Sequence, residues 1–167
     1  MKRSLFLVFA VAVFSTTAHS QAKTPQFSKY PATVEKARVK SIDFKNNPEA
    51  RTFRTRLGYA LDRGVNFAGH YIVTGWGCGT GCTNGAIIEA RTGDVIWPDQ
   101  FMNIDATYGD GYSDEQLEFK NNSRLLIIHG RPGGRDENAK TPPSGDYYYE
   151  WKNNRFRLLK VVEKPTN

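Results

Sequence analysis

From Asn66 to Val162 the chain alternates apolar and polar positions with a period of two, in short runs cut by Gly, Asn and Pro. That is the pattern of half-buried strands joined as hairpins. Phe67 to Trp76 is an aromatic and β-branched run. Ala86 to Ala90, the turn Arg91-Thr92-Gly93 and Asp94 to Trp97 read as strand, turn and strand, closed by Pro98. Gln116 to Lys120, Asn121-Asn122 and Arg124 to His129 predict a second hairpin, and Tyr147 to Trp151, Asn153-Asn154 and Arg155 to Val162 a third. Val39, Ile42 and Phe44 hint at an earlier strand.

One segment departs from period two. Asn47 can cap a helix, Pro48 suits its first position and Glu49 its positive end. Phe53, Leu57, Ala60 and Leu61 then share one face, and Gly64 supplies a stop, which predicts a helix over about 48–63. Arg51, Arg54, Arg56 and Arg63 surround that face as a solvated surface or, alternatively, as one that meets an anionic partner.

The last two hairpins share a faint repeat, Glu118-Phe119-Lys120-Asn121-Asn122 against Glu150-Trp151-Lys152-Asn153-Asn154. The spacing is that of a propeller blade, but the chain is too short to close a ring at roughly 40 residues per blade. Recurrence of Asn-Asn in hairpin turns accounts for it equally well. The fold class is therefore mainly β: an antiparallel sheet or small sandwich built from hairpins, propeller-blade-like, with one N-terminal amphipathic helix.

The N-terminus changes the picture. Lys2 and Arg3 precede an apolar run from Leu5 to Phe14, and Ala18 and Ser20 are small residues placed for cleavage before Gln21. Residues 1–20 are predicted to be a signal peptide, because so short a run cannot cross about 30 Å of hydrocarbon. The absence of a Cys after the run argues against lipid attachment, and no later stretch has spanning length. Residues 21–36 form an extended lead-in, and 37–167 a single β-rich domain. The expected address is periplasmic or secreted.

Composition and charge narrow the classes. With 167 residues, 39% hydrophobic and 13% aromatic, the chain is too apolar for a disordered protein. A mean hydropathy of -0.56 excludes a polytopic membrane protein. Loss of residues 1–20 lowers the net charge from +6 to +4, and no basic stripe or helix-turn-helix pattern is present, so nucleic acid is not an expected partner.

Candidate chemistry concentrates between Trp76 and Gly85, where both cysteines stand among Gly77, Gly79, Gly81 and Gly85. In an oxidising compartment Cys78 and Cys82 most simply form a structural disulfide that shapes the loop. Three other readings stay open: a redox pair, a metal site with His70 and His129, and a glycine-rich phosphate cradle. The spacing is not Cys-x-x-Cys, the metal ligands are scattered and a strand follows the glycines where a helix is needed. No cofactor and no metal is assigned.

Asn66-Phe67-Ala68-Gly69-His70-Tyr71, followed by Trp76-Gly77-Cys78-Gly79-Thr80-Gly81-Cys82, resembles a pattern in a family of small secreted proteins of Gram-negative bacteria. The resemblance covers about residues 50–100. It implies secretion and a common core, and it transfers no catalytic residue.

Outside that segment, His70 is expected in the strand on the face of Ile72 and Trp76, as a core residue or as a general base. Arg131 and Arg135 lie in a Gly-rich loop that could hold a carboxylate or phosphate or be simply solvated. Asp99, Asp105, Asp110 and Asp114 lack EF-hand spacing, and neither a Gly-x-Ser-x-Gly elbow nor a His-Glu-x-x-His motif occurs. The leading expectation is a non-enzymatic protein-binding module of inhibitor, immunity or envelope-complex type. Its contacts would be Trp76, Gly79, Thr80, Gly81, Arg131 and Arg135, and its partner an envelope protein. The alternatives are a small secreted hydrolase of cell-wall or carbohydrate substrates, with His70 or an Asp from 105–114 as base, and a sensor of a small anionic ligand.

Overall fold

Ile72, Thr74 and Trp76 point to one side of their strand and Tyr71 and Val73 to the other, and both sides are covered. That double burial organises the fold. The computed structural model describes residues 23–36, 41–113, 115–133 and 141–164. The proposed signal peptide, Val39, Asp114 and Arg135 lie outside the described residues.

Over the described residues the protein is mainly β, with antiparallel sheets and one α-helix. In the first sheet β1 (Tyr71–Gly79) pairs with β2 (Cys82–Glu89), which also pairs with β3 (Val95–Ile96) and, through its first residues, with β4 (Ile104–Asp105). A small ribbon follows, β5 (Thr107–Tyr108) with β6 (Gly111–Tyr112). The second sheet is a meander of β7 (Leu117–Phe119), β8 (Leu125–Gly130), β9 (Gly145–Lys152) and β10 (Arg155–Glu163). The three hairpins stand where the spacing predicts them.

The two sheets bury a common core that includes Phe67, Val73, Ile87, Phe101, Leu126, Ile128 and Trp151. Helix α1 (Arg54–Arg63) lies on the far face of the first sheet and sets Leu57 and Ala60, both fully buried, against Ile72, Trp76, Ala86 and Ile88. Burying Leu57 alone stabilises the fold by about 1.5–3 kcal/mol. Phe27 and Tyr30 of the lead-in cover Leu125, Ile127 and Tyr148 on the far face of the second sheet. The lead-in is therefore ordered over its described length: it bridges to Ser123 through Pro31 and bonds to Gly69 through Glu35. Gly69 has φ +86°, and a Cβ there would stand 2.2 Å from the carbonyl oxygen of Thr33.

Three local expectations are corrected. The helical segment opens as a 3-10 turn over Pro48–Phe53 and becomes α-helical only at Arg54. Asn47 does not cap it: its buried carboxamide accepts from the Val95 amide at 3.1 Å and donates to the Asp43 carbonyl at 2.8 Å, so it ties the helix start to β3. Ile42 and Phe44 belong to no strand. They pack against the helix layer from an irregular segment.

The faint repeat also resolves into two different turns. Asn153 and Asn154 both have positive φ, at 52° and 56°, and close a two-residue hairpin loop. Asn121-Asn122 instead opens a longer connection, because its carbonyls accept bonds from Gly69 and from Ala32 of the lead-in.

Candidate functional site

The β1–β2 hairpin turns through only Thr80 and Gly81, with Gly79 opposite Cys82. The register slips between Gly77 and Gly79, so Cys78 is the extra residue of a bulge. From there it forms a disulfide with Cys82, with Cα atoms 5.1 Å apart. The positive φ of Gly79 (143°) and Gly81 (64°) explains why glycine flanks this tight crosslink. Gly77 through Thr80 are exposed. With both cysteines in the disulfide, and His70 and His129 in separate clusters, the four do not form one site.

Shallow cavities run along the hairpin. One of about 370 Å³ is lined by Gly79 to Thr83 with Ala106, Ser113 and Gln116. Another of about 310 Å³ lies between Thr80 to Cys82 and Asn103 and Asp105. A third, of about 380 Å³, shares Thr83 and Gln116 with the first and extends to Gly75, Gly77, Leu117 and Phe119.

Arg131 reaches this region through Asp105. Cys82 pairs with Asp105 in the β2–β4 ladder, and Asp105 forms a bridge with Arg131. The guanidinium donates to Asp105 Oδ2 at 3.0 Å. Burial raises the Asp105 pKa, but bonds from the Thr107 hydroxyl and amide, and then from Arg131, hold the carboxyl below its usual range. Arg131 is thus a strut under the tip and not a free anion receptor. Arg135, its expected companion, lies outside the described residues.

Trp76 corrects the expectation of an exposed anchor. Only 8% of it is accessible, and its ring packs 4.9 Å from Phe53 and 6.2 Å from Trp97, with Arg56 at 6.0 Å from the ring. Its strand parity points it at the helix.

His70 is also displaced from its expected place. It sits in the turn before β1, where Ala68 and Gly69 both have positive φ. Its ring packs, tilted, 4.3 Å from that of Tyr71, and its nitrogens stand 3.6 Å from Glu35 and 3.9 Å from Glu89, beyond hydrogen-bond reach. Arg91 grips Glu35 with two guanidinium nitrogens, which lowers the pKa of that carboxyl. This is a surface ion cluster.

The arrangement that sequence reasoning missed surrounds His129. Its Nδ1 lies 2.7 Å from Asp146 Oδ1 and its Nε2 3.4 Å from Glu118. The Tyr108 hydroxyl donates to the same Asp146 oxygen at 2.6 Å. Burial, followed by that bond, pushes the Tyr108 phenol well up. His129 and Asp146 are cross-strand partners in β8 and β9, a register the long intervening segment hides in the sequence. Among the described residues no group of three or more His, Cys, Asp and Glu side chains is placed to hold a metal ion.

Comparison with protein-family models, with curated proteins and with solved structures finds no significant match to this chain.

Proposed function

We propose that the protein is a secreted periplasmic binding module, delivered by residues 1–20 as a signal peptide, that recognises an envelope protein without catalysing a reaction. The observation that carries this reading is the disulfide-clamped tip. Gly79, Thr80 and Gly81 form a crosslinked turn whose residues line two cavities, and a rigid loop loses little entropy on binding. Arg131 supports the tip from below, and Trp76 anchors its strand rather than contacting a partner. The resemblance to small secreted proteins of Gram-negative bacteria bears on secretion alone and carries no activity.

The test is affinity capture from an envelope extract, with wild type beside a variant in which Gly79-Thr80-Gly81 is replaced by a longer flexible loop. A protein retained by wild type and lost by the variant supports the assignment. Equal retention by both overturns the role of the tip, and no retention by wild type overturns the binding reading.

The hydrolase alternative is favoured by one observation, and it is not His70. His129 and Asp146 form a short hydrogen-bonded pair of the kind that orients a general base. Turnover of cell-wall fragments by wild type that is abolished in His129→Gln would favour it over the binding module.

A further inference from the structure

We propose that the uncovered half of the β1 edge, at Gly75 and Gly77, accepts an extended peptide strand of a partner protein with a Lys or Arg beside Glu115; this rests on the protein-binding reading and names what is bound.

The register determines which backbone groups are available. The Ala90 amide donates to the His70 carbonyl, so in the antiparallel alternation Ile72, Thr74 and Trp76 bond to β2 while Tyr71, Val73, Gly75 and Gly77 turn their N–H and C=O groups outward. β1 is an edge strand. The fold itself covers the first half of that edge. Phe67 exchanges both backbone bonds with Tyr71, and the Asn66 carboxamide imitates a neighbouring strand by accepting from the Val73 amide at 2.7 Å and donating to its carbonyl at 2.9 Å. Among the described residues the covering stops there, and Gly75 and Gly77 continue the edge without it.

β7 stands beside this edge as a wall: a Cβ at Gly75 would lie 3.5 Å from Leu117 Cδ1, too close for a strand to pass between the two. The His129 amide donates to the Gln116 carbonyl, so β7 bonds to β8 through Gln116 and Glu118 and turns the backbone of Leu117 and Phe119 away. Gly75, Gly77, Leu117 and Phe119 together line the cavity of about 380 Å³. Among the described residues no other strand pairs with either edge. Exposed edges are ordinarily blunted by charge, proline or a covering element, because their backbone groups invite another strand. Here a Cβ at Gly77 would meet only the Cys82 carbonyl oxygen, at 4.0 Å, so packing does not demand glycine, yet glycine leaves the edge bare.

Backbone complementarity selects an extended polypeptide over a glycan or a folded surface. The β7 wall beside the edge selects a lone segment over a second copy, whose edge would arrive with α1 attached. Glu115, exposed at the rim and without an ion-pair partner among the described residues, selects a cationic side chain.

The test uses the full mature chain, 15N-labelled, with the peptide acetyl-Val-Lys-Val-Lys-Val-Lys-amide and the same peptide N-methylated at alternate residues. Addition of the first is expected to shift the amide resonances of Gly75, Gly77, Leu117 and Phe119, and to slow hydrogen exchange at Gly75 and Gly77 about ten-fold or more at saturation. The N-methyl peptide is expected to bind at least about ten-fold more weakly, and Glu115→Lys to weaken the first peptide in a salt-dependent way. Equal binding of the two peptides, shifts confined to other residues or no shift at all overturns the proposal. Concentration-dependent shifts at these amides without peptide also overturn it, in favour of a second copy. The capture experiment separates the two readings. If a partner is retained equally by wild type and Gly77→Pro but lost by the tip variant, the module stands and strand addition falls. If wild type retains nothing, the module falls whatever the peptide does.

Discussion

Asp105 and Arg131 exchange both backbone hydrogen bonds, at 3.0 and 2.9 Å, and the Arg131 guanidinium then closes a third on the Asp105 carboxylate. Because Asp105 is also the ladder partner of Cys82, this contact couples the disulfide tip to the end of β8.

Replacing Arg131 by Met therefore removes a charge-assisted bond from a half-buried carboxylate, with an expected loss of about 1–3 kcal/mol at pH 7. The Asp105 carboxyl is held below its ordinary value, so the stability it contributes is present above about pH 4 and is lost as the pH falls through its lowered folded value. Urea denaturation of wild type and Arg131→Met should show a gap that narrows below pH 4. A gap independent of pH would contradict the pairing.

Glu150 offers a second acid-sensitive contact. It is buried, and Arg157 at 2.6 Å and Arg124 at 3.2 Å flank it. The Arg157 bond, ahead of the one from Arg124, lowers its pKa against the opposing effect of burial. A depressed folded pKa gives stability above about pH 4.5 that disappears as the pH drops through the folded value. Glu150→Gln is expected to lose about 1–3 kcal/mol at neutral pH and to flatten the acid side of the stability curve. Denaturant midpoints from pH 7 down to pH 2 measure both effects.

Removing the disulfide should matter more to the tip than to the fold. The ring it closes is short, and chain-entropy arguments give about 2 kcal/mol or less for a loop of this size. Cys78→Ala with Cys82→Ala should lower Tm by only a few degrees and keep cooperative unfolding. Amide exchange at Thr80 and Gly81 should accelerate in the same variant. Loss of cooperative folding would show that the crosslink is structural for the whole domain.

Trp76→Ala should act on stability, at about 3–5 kcal/mol, because it empties the space between Phe53 and Trp97. Trp76→Phe should cost far less. If Trp76→Ala left the denaturation midpoint in place while abolishing partner capture, the buried assignment would be wrong.

Local periodicity explains how much was readable in advance. Period two located the hairpins, the Pro48–Gly64 signals located the helical segment, and the spacing of Cys78 and Cys82 pointed to their pairing. Each of these depends on residues a few positions apart. Parity alone left the direction of Trp76 open, since both faces of β1 are buried and either could have been the partner-facing side. Asn47 follows the same rule: the β3 amide it satisfies is 48 positions away.

By itself, then, the sequence determined the three hairpins, the helical segment, the antiparallel class and the crosslinked turn, because short-range sterics and hydrophobic alternation act within a strand or a helix. Only the tertiary structure decided the remaining relationships: Arg131 beneath the tip, His129 against Asp146, and the edges at Gly75–Gly77 and Leu117–Phe119 that no other described strand pairs with. Those depend on which strands become neighbours and in what register. That choice is made by burial across the whole core, and no window along the chain contains it.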